Sequence, residues 1–299
     1  MRFRSLWAKL AFVMLTAVLL SGCTQASAST PGEQTTQEKY GLEEFVVVLI
    51  PGEDDPKSLQ IRDTFAADMS AVIGLPVRTY RATDYNAAVE AMRTNQAQLA
   101  MLGPFSYVMA RQRANAECVA IRSVNGTDFG YYSQIIVRAD SDIETLADLQ
   151  GKRFAFVDPG STSGNLMPTD CIIKELPNLN LTFDGLHADG VFFKSAMFSG
   201  NHPNALQAVI KGDVDAAAVA SSTYENEISK GNANAGDLRV IFTSPMIPGS
   251  PMAIKKDINL ELKEKVVDFL LTYDNVDYFG GPESKSRYWK VDDKFYDYL

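Results

Sequence analysis

From Phe45 to Ile50 the chain is continuously apolar, the pattern of a strand covered on both faces, and Pro51-Gly52 ends it. Ile61, Phe65, Met69 and Val72 then recur at helical spacing and predict a helix over 57–73. A strand over 77–80, a helix capped by Asp84 and running to about Thr94, and a strand over 99–102 come next. A helix from Pro104 and a strand near 118–121 complete this alternation. After an extended segment, 132–137, the pattern restarts with a short helix over 145–150, a strand over 153–157 ended by Pro159-Gly160, and a helix through the apolar stretch 166–176. A strand near 191–194, a helix over 203–211, a strand over 214–220, a helix over 223–230 and a strand over 239–243 follow. Residues 245–251 form a proline-rich crossing. A strand over 252–255, a helix over 260–273 and an aromatic tail packed against the body close the chain. Such alternation predicts an α/β protein whose sheets are mainly parallel and flanked by helices.

Two internal correspondences divide the pattern in half. Strand-Pro-Gly occurs at 45–52 and again at 153–160, and Ala88–Tyr107 lies without gaps over Ala205–Tyr224. The second alignment matches Ala88, Ala91 and Ala100 to Ala205, Ala208 and Ala217. The expectation is two lobes of similar architecture. The same register pairs Tyr85 with His202, each at the N-terminal edge of an equivalent helix, where the two would face each other across a cleft.

A chain of 299 residues, 46% hydrophobic and 22% charged, is long and apolar enough for about two ordinary domains. Its start is set apart. Arg2, Arg4 and Lys9 precede the apolar run Leu10–Leu20, which is too short and wrongly flanked to span a membrane. The run ends in Leu20-Ser21-Gly22-Cys23, which resembles the lipobox of bacterial lipoproteins and implies cleavage before Cys23 and lipidation of that cysteine. The expected organisation is a signal peptide over 1–22, a flexible tether over 23–39, one lobe over 40–136 and a second over 137–248. Residues 249–299 return to the first lobe and end in a helical tail. The net charge is −9, and loss of the three leader cations makes the remainder more acidic, which excludes nucleic-acid binding by charge. An anion site would have to rely on local donors. Cys118 and Cys171 fall in different lobes and read as two buried thiols, and no Cys/His spacing implies a metal or other cofactor.

The stretch that carries candidate chemistry is Asp158-Pro159-Gly160-Ser161-Thr162-Ser163-Gly164, between the strand at 153–157 and the helix after it. Small hydroxyl residues between two glycines at a helix N-terminus can turn N–H and O–H donors onto one anion. On these residues alone the stretch is either such a nest or a polar loop with an N-cap. Pro168 would remove an interior bond from a helix begun at Ser163, so that helix begins later or bends. His202-Pro203 fits a helix start with Pro at N1, Tyr85 and Tyr131 read alone as core or interface aromatics, and His187 reads as a surface residue. Glu53, Asp54 and Asp55 read as solvated carboxylates at a helix start. No order of Ser/His/Asp or Cys/His residues, no carboxylate cluster and no Gly-Lys-Ser/Thr phosphate loop points to an enzyme.

Taken together, Thr83-Asp84-Tyr85, Leu102-Gly103-Pro104, Gly130-Tyr131-Tyr132-Ser133, the 158–164 stretch, Gly200-Asn201-His202 and Ile247-Pro248 carry a resemblance. The chain, from Phe45 to about Phe269, resembles the phosphonate- and phosphite-binding proteins of bacterial ABC transporters. The resemblance implies a two-lobed periplasmic binding protein of type II, its lobes joined by two crossing strands and closing on a ligand. It implies a monomeric, non-enzymatic protein, lipid-anchored outside the cytoplasmic membrane, that serves an ABC permease and its ATPase. It also implies that Ser161, Thr162 and Ser163 hold a phosphorus oxyanion, with Tyr85 and Tyr131 donating from the other lobe and His202 from their own. Ser250 falls where binders of aminoalkylphosphonates can carry an aspartate, which turns the expectation toward phosphite or methylphosphonate and away from 2-aminoethylphosphonate. Phosphate, sulfate or a phosphorylated compound as ligand, and a tethered sensor on the same fold, stay open.

Overall fold

The computed structural model describes residues 34–52, 55–123 and 129–297. Cys23, the signal segment and the acidic residues Glu53 and Asp54 lie outside those residues. The first half runs α1 (Thr36–Tyr40), β1 (Phe45–Leu49), α2 (Pro56–Ile73), β2 (Val77–Arg81), α3 (Tyr85–Arg93), β3 (Leu99–Met101), α4 (Pro104–Arg113), β4 (Ala116–Arg122). A two-residue strand, β5 (Gly130–Tyr131), leads to β6 (Ser133–Arg138), β7 (Arg153–Phe156) and a π-helical turn, Thr162–Leu166, that runs into α5 (Met167–Glu175). Then come α6 (Phe183–Leu186), β8 (Ser195–Phe198), α7 (His202–Ile210), β9 (Ala216–Ala220), α8 (Ser221–Ser229) and β10 (Leu238–Thr243). Another short strand, β11 (Ile247–Pro248), returns to β12 (Pro251–Lys255), α9 (Leu260–Thr272), β13 (Tyr288–Trp289) and a 3-10 turn at Asp293–Tyr296.

The strands form two large sheets, in the orders β13-β4-β12-β3-β1-β2 and β10-β6-β9-β7-β8. Apart from the edge strand β13, each position in one has its counterpart in the other. The internal alignment holds at the level of helix starts: α3 and α7 begin at Tyr85 and His202, the aligned pair, and α4 and α8 at Pro104 and Ser221. Their caps match too, since Asp84 accepts from the N–H of Ala87 at 2.7 Å and Asn201 from that of Asn204 at 2.8 Å.

Both sheets are mixed rather than mainly parallel. Strands joined by helical crossovers are parallel, β1 with β2 and β3, and β7 with β8 and β9. Strands β6 and β12 instead arrive from the opposite lobe through the crossings, so they enter antiparallel to their neighbours. The crossings pair with each other, Ile247 with Tyr131 and Pro248 with Gly130, as a two-stranded antiparallel link. All of β6 belongs to the second sheet, so the change of sheet falls at β5, ahead of residue 137.

Three segments depart from the hydrophobic pattern for identifiable reasons. Residues 191–194 are not a strand. Phe192 and Phe193 are buried through a turn in which Gly190, at φ 76°, donates to the carbonyl of Phe193, and β8 starts only at Ser195. The short helix over 145–150 contracts to a 3-10 turn at Ala147–Leu149. The end of the stretch read as a tether is folded: Thr35 and Glu38 form a capping box, and Tyr40 is buried and donates to Glu261 at 3.1 Å.

Cys118 on β4 and Cys171 on α5 are free, buried thiols, and burial pushes the first up to about 12 and the second up to about 11. The aromatic tail packs against the first lobe. Tyr296 is fully buried beside Tyr107, and its hydroxyl donates to the Gly249 carbonyl at 2.9 Å, tying the tail to the return crossing. Tyr296→Ala is therefore expected to cost about 3–5 kcal/mol in urea unfolding. Trp289→Ala, at a ring 48% exposed, should cost under about 1 kcal/mol. Equal losses would mean that the tail is held by something other than burial.

Candidate oxyanion-binding site

The site is built on one close approach. Where β7 ends, the Val157 N–H donates to the carbonyl of Gly164 at 2.9 Å, folding the intervening loop back on the strand. A Cβ on Gly164 would lie 2.3 Å from the Cβ of Val157, so only glycine fits. Pro168 supplies the other half of the arrangement. It has no N–H for the Gly164 carbonyl, its partner in an α-helix, and that carbonyl is the one Val157 takes. The helix accordingly opens as a π turn, with Leu166 N–H reaching Ser161 O at 3.0 Å, and becomes α5 only at Met167.

Other bonds hold the turn. Asp158 accepts from Gly160 N–H at 2.7 Å, Ser161 Oγ from Gly164 N–H at 3.0 Å, and Asn165 donates its amide to Pro159 O at 2.9 Å. Ser133, at the start of β6, donates its hydroxyl to Ser163 O at 2.6 Å. With Ser161 as N-cap, the N–H groups of Thr162 and Ser163 are the first of the helix and have no intrahelical acceptor. They sit with the Ser163 hydroxyl at one end of a helix whose dipole favours negative charge.

Tyr85 approaches from the first lobe. It is buried against Gly160 of the turn, and burial pushes its phenol above the ordinary value, so it remains a neutral donor. Its backbone N–H meets Asp158 Oδ2 at 3.4 Å, and the Phe105 N–H donates to Thr162 Oγ1 at 2.9 Å. The two lobes are thus in contact along this turn. Burial raises the carboxyl of Asp158, against the opposing pull of the N–H groups of Gly160 and Tyr85.

His202 flanks the turn on the other side, at the start of α7. Its Nδ1 accepts from the Ala220 N–H at 3.1 Å, so the proton of the neutral ring is on Nε2, 3.4 Å from Ser163 Oγ. Desolvation lowers its pKa to about 4. At neutral pH it is an uncharged ring that points an N–H at the turn. Tyr85 and His202 lie against the same turn, Tyr85 beside Gly160 and His202 beside Ser163.

The remaining sequence candidates are placed differently. Tyr131 lies half-buried on β5, paired with Ile247 of the other crossing. Ser250 is half-buried between β11 and β12, and no hydrogen bond among the described residues joins it to the turn. Asp55 caps α2 through the N–H groups of Lys57 and Ser58, as a helix-start carboxylate should. His187, read as a surface residue, is only part-exposed. It is half-buried among Phe156, Phe183 and Phe198, with Nε2 2.6 Å from Asn165 Oδ1. Ser133 and Asn165 were also missed as supports of the site, although Ser133 stands inside the Gly130–Ser133 motif.

The family model for the phosphonate periplasmic substrate-binding protein of ABC transporters matches residues 47–290. This chain belongs to that family. As a member it is the extracytoplasmic binding component of a transporter, working with a permease and its ATPase, and not an enzyme. It is 33% identical over 255 residues to a phosphate-import protein of Mycolicibacterium smegmatis, covering 84% of this chain and 77% of the relative. Among solved structures it is similar to a phosphonate-transporter binding protein of Pseudomonas aeruginosa, with a TM-score of 0.73, 27% identity, and 84% and 82% of the two chains covered. A Prochlorococcus marinus protein solved with methylphosphonate superposes with a TM-score of 0.72 at 22% identity, over 86% and 95% of the chains. The fold is the two-lobed type II architecture of these periplasmic binding proteins.

The neutral His202 sets a pH dependence. Below about pH 6.5 a histidine of the unfolded chain takes up a proton, which folded His202 accepts only near 4. Stability is therefore lost as pH falls from about 6.5 to 4, by up to about 1.4 kcal/mol per unit, and this contribution is flat below that window. Urea midpoints of wild type and His202→Gln at pH 7 and 5 should differ in slope, the variant losing less. In a second measurement, Gly164→Ala should unfold at markedly lower urea, because Val157 cannot retreat without breaking the end of β7.

Proposed function

We propose that the chain captures a small phosphorus oxyanion, phosphite or methylphosphonate, between its lobes and delivers it to the permease. The observation that carries this reading is the convergence on one turn of uncharged donors from both lobes. These are the N–H groups of Thr162 and Ser163, the Ser163 hydroxyl, the Nε2–H of His202 and the phenol of Tyr85. Tyr131 and Ser250 complete the proposed set of ligand-binding residues, Tyr131 as a donor and Ser250 as the residue that sets the permitted substituent. Ser161 belongs to it chiefly as the residue that caps the turn. Hydrogen bonds to a charged group contribute about 1.5–3 kcal/mol each, and micromolar affinity needs about 8 kcal/mol. Four to six such donors suffice, with the helix dipole adding about 0.3–2 kcal/mol. The further parts of the proposal are lipid attachment at Cys23 and action as a monomer, in the organisation set out from the sequence.

A second reading, phosphate as the ligand, is favoured by the name of the Mycolicibacterium relative, a phosphate-import protein. Calorimetric titration of the chain from residue 24 onward with phosphite, methylphosphonate, 2-aminoethylphosphonate, phosphate and sulfate separates the two. Phosphite or methylphosphonate should bind measurably and phosphate much more weakly. Phosphate preferred over both would make the second reading the right one, and tight 2-aminoethylphosphonate would remove the argument from Ser250. Within the site, His202→Ala and Tyr131→Ala should each weaken binding by tenfold or more, at about 1.4 kcal/mol per tenfold. Ser161→Ala should weaken it less, because the backbone donors remain. Negligible losses in all three would put the ligand elsewhere.

A further inference from the structure

The return crossing meets the first lobe at a peptide that belongs to neither ladder. β11 ends at Pro248 and β12 begins at Pro251, so Gly249 and Ser250 lie between the paired crossings and the sheet. The Gly249 N–H continues the pairing of the crossings and donates to the Phe129 carbonyl at 2.5 Å. A Cβ on Gly249 would lie 3.0 Å from that oxygen and 3.2 Å from Ile121, so the backbone is pressed close there. No backbone N–H of the described residues donates to the Gly249 carbonyl. A backbone acceptor that falls between two ladders has to be satisfied from elsewhere. Here the donor is the Tyr296 hydroxyl, at 2.9 Å.

Tyr296 comes to that carbonyl from a distant part of the sequence and is held in place by the first lobe. Its ring is fully buried and stands edge-on to Tyr107 of α4, with centroids 5.0 Å apart. In the same 3-10 turn, Asp293 accepts from the Cys118 N–H at 3.0 Å and from the Tyr107 hydroxyl. Arg111, also on α4, donates to the Asp293 carbonyl at 3.0 Å and pairs with Asp297 at 2.8 Å. The turn is thus fixed to α4 and β4, and it presents one hydroxyl to one carbonyl of the crossing.

The peptides of the described residues are all trans, and in a planar trans peptide the C=O and N–H point in opposite directions. Drawing the Gly249 carbonyl toward Tyr296 therefore turns the Ser250 N–H away from the tail and sets the plane from which the Ser250 side chain leaves. We propose that Tyr296 is a positioning residue for Ser250, so that the group tolerated beside the oxyanion depends on the Tyr296 hydroxyl. This rests on the reading of Ser250 as the residue that sets the permitted substituent. Phosphite and methylphosphonate share three oxygens on phosphorus and differ in the fourth group, a hydrogen in one and a methyl in the other. The turn that begins at Ser161 belongs to the second lobe, so loss of the Tyr296 hydroxyl leaves its donors in place. The Gly249 carbonyl, without its donor, is left to find another partner. The peptide that carries Ser250 turns with it.

Tyr296→Phe keeps the buried ring and removes only the hydroxyl. Tyr107→Phe is the control, because it removes the bond to Asp293 and loosens the same turn without touching Gly249. Both variants should unfold at lower urea than wild type. In amide NMR spectra of the ligand-free protein, the Ser250 signal should move in Tyr296→Phe and stay in Tyr107→Phe, while that of Ser163 stays in both. By calorimetry, Tyr296→Phe should bind methylphosphonate about fivefold more weakly than wild type and phosphite within about twofold. Tyr107→Phe should keep the wild-type ratio of the two. An unmoved Ser250 amide, or an unchanged ratio in Tyr296→Phe, overturns the proposal. An equal change of ratio in Tyr107→Phe also overturns it, since any loosening of the tail would then suffice. Failure of wild type to bind either ligand would bring down the proposed function, and the Ser250 amide would still decide whether Tyr296 positions that residue.

Discussion

The site depends on Gly164 lying against Val157. The chain must leave β7, present its donors and start a helix within a few residues, which a regular α-helical start cannot do while Pro168 denies Gly164 its partner. The Val157 N–H takes the freed carbonyl. The absent Cβ admits the approach. The π turn that results keeps Thr162 and Ser163 at the head of the helix, where their N–H groups have no intrahelical acceptor. Ser133, Asn165 and Asp158 then hold the turn from three sides, so its geometry is set before any ligand arrives. Preorganisation of this kind spares the ordering cost that binding would otherwise carry.

The same economy shows in the two sheets. Each lobe takes its antiparallel central strand from the segment that has just crossed, β6 in one and β12 in the other. Movement of the crossings is therefore transmitted to the middle of a sheet and not to a loose edge. Among the described residues, three direct polar contacts join the lobes beside the turn and α2. Tyr85 N–H to Asp158 is long at 3.4 Å, Phe105 N–H to Thr162 Oγ1 is good at 2.9 Å, and the Lys230–Asp55 pair, at 4.0 Å and exposed, contributes little. Apolar packing adds to these bonds, since Tyr85 and Ile50 of the first lobe pack with Val157 and Leu206 of the second.

Much of this was legible in the residues because it followed from local rules. The helix starts at Tyr85 and His202 could be aligned because Asp84 and Asn201 are caps of the same kind and alanines recur behind them. The anion turn could be located because hydroxyl residues, glycines and a strand end coincide in sequence. The rest was settled by contacts between distant segments. Phe192 and Phe193 look like strand and are core residues in a turn, because their burial, not pairing, satisfies the pattern. His187 looks like a surface histidine because its three aromatic neighbours and Asn165 come from four separate segments. The mixed sheets were hidden because strand direction depends on which lobe the chain has just left.

Electrostatics decide why the site uses neutral donors. The protein is acidic, at −9, and gives an anion no long-range attraction. A charged His202 would attract the ligand, yet it would have to give up the Ala220 N–H and bear the desolvation that already holds its pKa near 4. A neutral ring fixed by that N–H donates from Nε2 at any pH above that value. Short-range donors then select by geometry more than by charge. Under the proposed function the oxyanion is read by the turn, and Tyr131 and Ser250, on and beside the crossings, are left to read what else the phosphorus carries. In that proposal affinity belongs to the turn of the second lobe and substituent choice to the crossings that join the lobes.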